Sequence, residues 1–282
     1  MALSASAMQE RKPVLVVGGT GKTGRRVAER LAARGIPVRI GSRSATPAFD
    51  WEDPSGWAAA LDGAGAAYIT YYPDLAAPGA PEAVRALVDQ ALKQGVRRLV
   101  LLSGRGEEEA QQAEQVLQGS GADWTVVRAS WFSQNFSESM LLEGVLAGEI
   151  SLPAGDVGEP FIDADDIADV VVAALTEEGH VGQLYEVTGP RLLTFADATA
   201  EIARSTGRPV RYTRVPAEEF AAMLAEQDTP ADFVELLLYL FTTVLDGRNA
   251  SLADGVQRAL GRAPKDFADY ARDAAASGAW AS

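Results

Sequence analysis

In the first half of the chain, short apolar runs alternate with amphipathic stretches of period 3.6. Residues 12–17 (KPVLVV) form a β-rich run, and residues 23–34 (TGRRVAERLAAR) put Val27, Ala28 and Leu31 on one helical face before Gly35 stops the helix. A second strand is predicted from residue 37 to 40. A short segment around Phe49–Trp51 then leads to a helix near residues 55–61. Further strands are predicted at 66–71 (AAYITY), 97–103 (RRLVLLS) and 124–128 (WTVVR), separated by helices at 81–94 and 107–119. Strands separated by helices of 10–15 residues imply βαβ units, and unbroken runs such as LVLL suit strands covered on both faces. The pattern specifies an α/β fold with a doubly wound parallel sheet.

After about Pro153 the helical period dominates, with helices predicted at 165–175, 194–205, 217–226, 233–246, 252–260 and 265–275. Strand-like pieces remain only near Phe161 and at 184–188. This divides the chain into a tail (1–11), a sheet domain (12–153) and a smaller, mostly helical lobe (154–282) packed on the sheet domain and partly interleaved with it. The most apolar stretch, 233–245 (FVELLLYLFTTVL), has 13 residues and contains Glu235. A membrane span needs about 20 residues, so this segment reads as a buried or lid helix. The first residues, MALSASAMQER, lack the apolar core of a signal peptide, and the expected setting is the cytoplasm.

Composition removes several classes of chemistry. Among 282 residues, 47% are apolar and 23% charged, as in an ordinary globular chain. Acids outnumber bases 39 to 25, for a formal charge of −14, which disfavours nucleic acid and anionic membranes as partners. With no cysteine and a single histidine, His180, there is no disulfide, no thiolate nucleophile and no metal site of the usual ligands. His180 itself reads as an exposed turn residue. Asp163, Asp165, Asp166 and Asp169 stand at the start of an apolar helix, where carboxylates cap free N–H groups. Glu107, Glu108 and Glu109 read as a solvated first turn.

Between the first strand and the first helix stands Gly18-Gly19-Thr20-Gly21-Lys22-Thr23-Gly24. Glycines spaced G-x-x-G-x-x-G permit a tight turn, let backbone approach a pyrophosphate and allow close strand–helix packing. The helix start then presents N–H groups and a positive dipole end to the phosphates. The run Gly21-Lys22-Thr23 is not the end of a P-loop, because the position that would need the first glycine is Val16. At the end of the second strand, where an acid would bind the ribose 2′-hydroxyl of NAD, stands Gly41-Ser42-Arg43. Arg43 suits a 2′-phosphate, with Ser42 as a hydrogen-bonding partner and Lys22 within reach of the same group. NADP(H) is the expected cofactor, with NAD(H) also admitted.

GGTGKTG, FDWEDPSGW (49–57), RRLVLLS, WTVVRASWFSQNF (124–136), PFIDADDIADV (160–170) and YEVTGP (185–190) resemble the NmrA-like branch of atypical short-chain dehydrogenase/reductases. The likeness runs from about Lys12 to Ala275. It is strongest toward bacterial relatives of ergot-alkaloid reductases and of quinone oxidoreductases. The resemblance implies a monomer or homodimer with a Rossmann NAD(P)-binding domain and a C-terminal substrate lobe. By it, Gly18, Thr20, Gly21, Lys22, Thr23 and Gly24 hold the pyrophosphate. Ser42 and Arg43 hold the adenosine ribose, Asp50 and Trp51 border the adenine, and Thr70, Tyr71 and Ser103 line the cofactor at strand ends.

The chain departs from the family in its proton donor. Four residues before Lys12, Lys22, Lys93 and Lys265 stand Met8, Gly18, Asp89 and Gly261, so there is no Tyr-x-x-x-Lys pair. Tyr71, Tyr72 and Ser103 are the remaining donor candidates. Hydride transfer then suits an acceptor that stabilises its own charge: a quinone, an iminium ion or an aromatic polyketide, as in a tailoring step of secondary metabolism. Trp131, Phe132 and Phe136 are expected to stack on a flat ring, with Asn135 as hydrogen-bond donor. The competing reading is a redox sensor like the fungal NmrA regulator, binding the dinucleotide without turnover.

Overall fold

A computed structural model describes residues 11–281. Of the expected tail, only Arg11 falls among the described residues. The chain begins with β1 (Val14–Val17), α1 (Lys22–Ala33) and β2 (Val38–Gly41). A 3₁₀ turn, Pro54–Gly56, follows, then α2 (Trp57–Leu61), β3 (Ala66–Ile69), α3 (Ala80–Lys93), β4 (Arg98–Gly104), α4 (Glu108–Gln118) and β5 (Asp123–Ala129). Beyond these come α5 (Asn135–Glu138), α6 (Leu142–Ala147), β6 (Glu149–Leu152), α7 (Ala164–Thr176), β7 (Gln183–Val187), α8 (Phe195–Thr206) and β8 (Arg211–Arg214). The chain closes with α9 (Ala217–Glu226), α10 (Ala231–Tyr239), one turn of π-helix at Leu240–Val244, α11 (Gly255–Leu260) and α12 (Phe267–Ala276).

Six strands form one parallel sheet in the order β2-β1-β3-β4-β5-β7. Period-two alternation sorts their side chains. Leu15, Val17, Ala67, Ile69, Leu99, Leu101 and Val126 face a layer built from α2, α3 and α4. Val14, Val16, Ala66, Tyr68, Val100 and Val127 face α1, α7 and α11. Because both faces are covered, β1 (VLVV) and β3 (AAYI) at the middle of the sheet carry no charged residue.

Beyond Pro153 the chain returns to this sheet: α7 packs against α1, and β7 pairs with β5. Apart from α11, which also covers the sheet, the other late elements gather around a second core, in which Phe136, Phe161, Phe195, Phe241 and Phe267 meet. It includes a two-stranded parallel sheet of β6 and β8. Among the described residues, no helix is long and apolar enough to cross a membrane.

Two local differences from the sequence reading have simple causes. The helix expected at 55–61 is split, because Asp53 accepts a hydrogen bond from the Ser55 N–H and starts a 3₁₀ turn through Pro54 before α2. α5, α6, β6 and β8 have only four to six residues each, too few to display a period of their own.

Candidate functional site

The chain leaves β1 toward β2 on one side and β3 lies on the other, so a crevice opens at the carboxyl ends of β1 and β3. The glycine turn fills its floor. Gly18 donates to the Gly41 carbonyl at 2.8 Å, and Gly21 donates back to the Gly18 carbonyl at 2.9 Å. Gly18 adopts φ of +69°, and a Cβ there would collide with the Thr70 hydroxyl. A Cβ on Gly24 would strike the Gly18 carbonyl, so glycine is what lets α1 sit against β1. Thr70 donates to the Val17 carbonyl at 3.0 Å and ties β3 to β1.

α1 begins at Lys22 with Gly21 as its N-cap. It has no side-chain cap and no acid in its first turn. Its leading N–H groups therefore lack an acceptor from the chain, and Thr20 and Gly21 beside them are exposed. A cradle that no side chain fills, at the positive end of a helix, fits a pyrophosphate. Thr23 contributes only backbone here, because its buried hydroxyl accepts from Tyr68 at 3.0 Å inside the core.

At the adenosine end, Arg43 is exposed and has no ion-pair partner among the described residues. Ser42 lies beside it, with its hydroxyl 3.3 Å from that of Ser44. Trp51 donates its indole N–H to the Thr70 carbonyl at 3.0 Å, and Trp57 donates to the Asp50 carbonyl at 2.7 Å. These two bonds hold the 49–57 loop against the sheet edge. Lys22 does not join Arg43. Its Nζ donates to Asn135 Oδ1 and Ser139 Oγ, both at 2.9 Å, on the α5 side of the crevice. Burial lowers its pKa, and Arg25 and Arg26 press in the same direction against the pull of Glu138.

Several expected acceptor-side residues are placed otherwise. Ser103 is buried and donates to Glu114 at 2.6 Å, and Arg128 pairs with the same carboxylate. Its hydroxyl belongs to that network, which turns it from the crevice to α4. Phe136 is fully buried among Phe161, Phe195 and Phe267, which makes it a core residue with no face for a ligand. Trp131 stays half-buried, 4.8 Å from Phe241, and Phe132 is half-buried in a bridge to Ile162. Asn135 is fixed through its carbonyl oxygen by Lys22. Tyr71 packs on Trp51 at 4.8 Å, and its hydroxyl pKa is raised by burial and by Glu52 and Glu82. Tyr72 is 75% exposed.

Acids expected to serve only as caps prove to be divided. Asp163 caps α7 through the Asp165 N–H at 2.7 Å. Asp165 and Asp169 pair with arginines of α1, and Asp166 with Arg262. Among the described residues there is no cluster suited to a metal. Glu107, expected as a solvated first-turn acid, is instead buried. His180 is not exposed either: it is buried, and its Nδ1 lies 2.8 Å from the Tyr185 hydroxyl. Glu159 was not anticipated as a site residue. It is fully buried under Trp131, whose N–H lies 3.4 Å from Oε1, and burial pushes its pKa up to about 7 despite Arg105 nearby. A lone glutamate entering the apolar run EPFI was the available signal. Two cavities of about 600 and 590 Å³ open in the C-terminal lobe. One lies between α8 and α12, and the other is lined by Pro153, Arg214, Phe241 and Leu245.

Residues 18–178 match the family model described as NAD(P)H-binding, which covers the glycine turn through α7. The chain belongs to this family. It is 32% identical to an NAD(P)H azoreductase of Xenophilus azovorans, over 94% of this chain and 98% of that one. It is 31% identical to agroclavine dehydrogenase of Claviceps fusiformis, over 92% and 96%. The NADPH-dependent quinone oxidoreductase QOR2 of Escherichia coli, solved with NADPH, superposes with a TM-score of 0.74 at 21% identity, covering 92% of this chain and 99% of that one. The likeness to ergot-alkaloid reductases and quinone oxidoreductases read from the sequence is thus found over nearly the whole chain. The protein is of the NAD(P)H-dependent oxidoreductase type.

Proposed function

We propose that the protein is an NADPH-preferring reductase of a planar, charge-stabilising small molecule of the quinone, iminium or aromatic polyketide type, acting as a monomer or homodimer in a tailoring step of secondary metabolism. The observation that carries this reading is the pairing of an uncapped glycine turn with an unpaired arginine at the end of β2, where no carboxylate competes for the ribose. The backbone of Gly18–Gly24 would hold the pyrophosphate, and Arg43 with Ser42 the 2′-phosphate. The dihydronicotinamide, when bound, supplies hydride. Lys22 holds Asn135 by its carbonyl oxygen and leaves the amide NH₂ as the donor toward an acceptor. Trp131, braced by Phe241, offers a flat apolar wall that orients a ring and keeps water from it. The names of the relatives point to an azo compound, a clavine alkaloid and a quinone, ring-bearing or unsaturated molecules that such a wall suits.

The test is oxidation of NADPH by the purified protein with a panel of quinones, azo dyes and iminium salts. Turnover above the acceptor-free rate, with NADPH favoured over NADH, is the expected result. Tight NADPH binding with no turnover of any acceptor overturns the reductase reading and leaves a dinucleotide sensor.

A further inference from the structure

Hydride arriving at a quinone, an azo group or an enone leaves an anion that needs a proton, whereas an iminium ion becomes neutral and needs none. Ser103 is engaged by Glu114 and there is no tyrosine–lysine pair, so neither of these supplies the proton. The turns that follow β3 and β4 each carry an acid at the same edge of the crevice: Asp74, five residues past Ile69, and Glu107, three past Gly104. Glu107 is the N-cap of α4 but makes no capping hydrogen bond. Its carboxyl folds back over Gly104, where any Cβ would collide with it. It is 8% exposed, and its Oε2 has no hydrogen-bond partner among the described residues. Helix capping, the ordinary reason for an acid at this position, is therefore not what it does.

Two carboxyls in contact, Glu107 buried and Asp74 half-buried, do not both ionise freely. Burial raises Glu107 well above the usual range, and the charge of Asp74 raises it further, as do Glu109 and Glu114 on α4. Asp74 is also raised by burial, against the opposing pull of the Ala76 N–H at 2.8 Å and of the Glu107 side chain. Both carboxyls are thus pushed toward the protonated form, Glu107 the further. From the lobe, Tyr239 of α10 faces the same group, with its hydroxyl donating to Glu109 at 2.9 Å and Arg248 beyond it.

We propose that Glu107 is the proton donor of the reduction, with Asp74 beside it as its positioning residue, and that the acceptors are therefore those that turn anionic on reduction. This rests on the reductase reading and narrows it. The hydride and its electron pair pass from the dihydronicotinamide to the acceptor, which is reduced as the nicotinamide is oxidised. The O–H bond of Glu107 breaks, its proton joins the new oxyanion or amide anion, and the carboxylate is reprotonated from water.

Glu107→Gln and Asp74→Asn test it with two acceptors, a quinone and a cationic iminium dye. Glu107→Gln is expected to lower kcat on the quinone by about 100-fold or more and to leave the cationic dye within twofold. Wild-type quinone reduction should fall as pH rises through the Glu107 titration, and Asp74→Asn should move that limb to lower pH. Independently of turnover, infrared difference spectra of the cofactor-free protein at pH 7 should contain a protonated-carboxyl band that Glu107→Gln removes. Retained quinone activity in Glu107→Gln, equal loss on both acceptors, or absence of the band overturns the proposal. A wild type that reduces neither acceptor fails the reductase reading itself, and the proposal falls with it.

Discussion

Arg43 and Phe136 illustrate how far a single residue's role can be read before folding. Arg43 stands on an exposed loop whose neighbours are determined by chain order, so the role proposed for it rests on position alone. Replacing it with alanine should raise the KM for NADPH about tenfold, the loss of one charge-assisted contact, and change that for NADH less than twofold; steady-state kinetics with both cofactors checks this. Phe136 was expected to touch substrate because it follows Trp131 and Asn135 in one aromatic run. The structure turns it into the core, where its ring meets three other phenylalanines. Phe136→Ala should therefore cost about 3–5 kcal/mol of stability in urea unfolding, the usual penalty for emptying such a site. In whatever fraction stays folded, the acceptor KM should be nearly unchanged.

Among the elements, α1 and α10 do opposite things with their ends. α1 leaves its N-terminus uncapped and bare of acid while its body is tied down by Arg26 and Arg30, paired with Glu138, Asp165 and Asp169. The dipole end stays available because the anchoring charges lie along the helix and away from the cradle. α10 passes without a cap into a π-helical turn that carries Phe241 onto Trp131. Such single wide turns often occur where a side chain must be placed for function. Phe241→Leu should raise the KM for a flat acceptor several-fold by loosening the Trp131 wall, with the Kd for NADPH within twofold. Kinetics paired with a cofactor titration separates the two.

At the scale of the whole molecule, two groups of carboxylates pull stability in opposite directions with pH. Glu138 and Asp165 are buried enough to favour protonation, but their arginines outweigh this and hold them low; Asp266 is held low first by Arg191. Depressed groups stabilise the fold above the unfolded carboxylate range, and that contribution is lost as pH falls through it. Glu159 behaves in reverse. With its pKa near 7 it keeps a proton that the unfolded chain releases from about pH 4.3, so stability falls as pH rises between the two values, by on the order of 3 kcal/mol. The charge of −14 adds self-repulsion on the same side. Unfolding free energies measured by urea across pH 3–9 should therefore peak near about pH 5, with Glu159→Gln flattening the alkaline side.

The order of strands and helices through β5, the covered parallel sheet and the location of the glycine turn were legible in the sequence. Each depends on near neighbours: a period of two or 3.6, a glycine where backbone must pass backbone, an arginine where a carboxylate is missing. What only the tertiary structure decided is which way a side chain turns when two surfaces compete for it. Lys22 went to Asn135 instead of toward Arg43, Ser103 to Glu114, His180 into the interior, and Glu107 back over Gly104 beside Asp74. The hydrogen-bonded partners of Lys22, Ser103 and His180 lie between 5 and 113 residues away, and no local pattern brings them together. Burial and charge pairing among such partners are properties of the assembled fold, and so the backbone cradle was legible from the chain while the acids at the crevice edge were not.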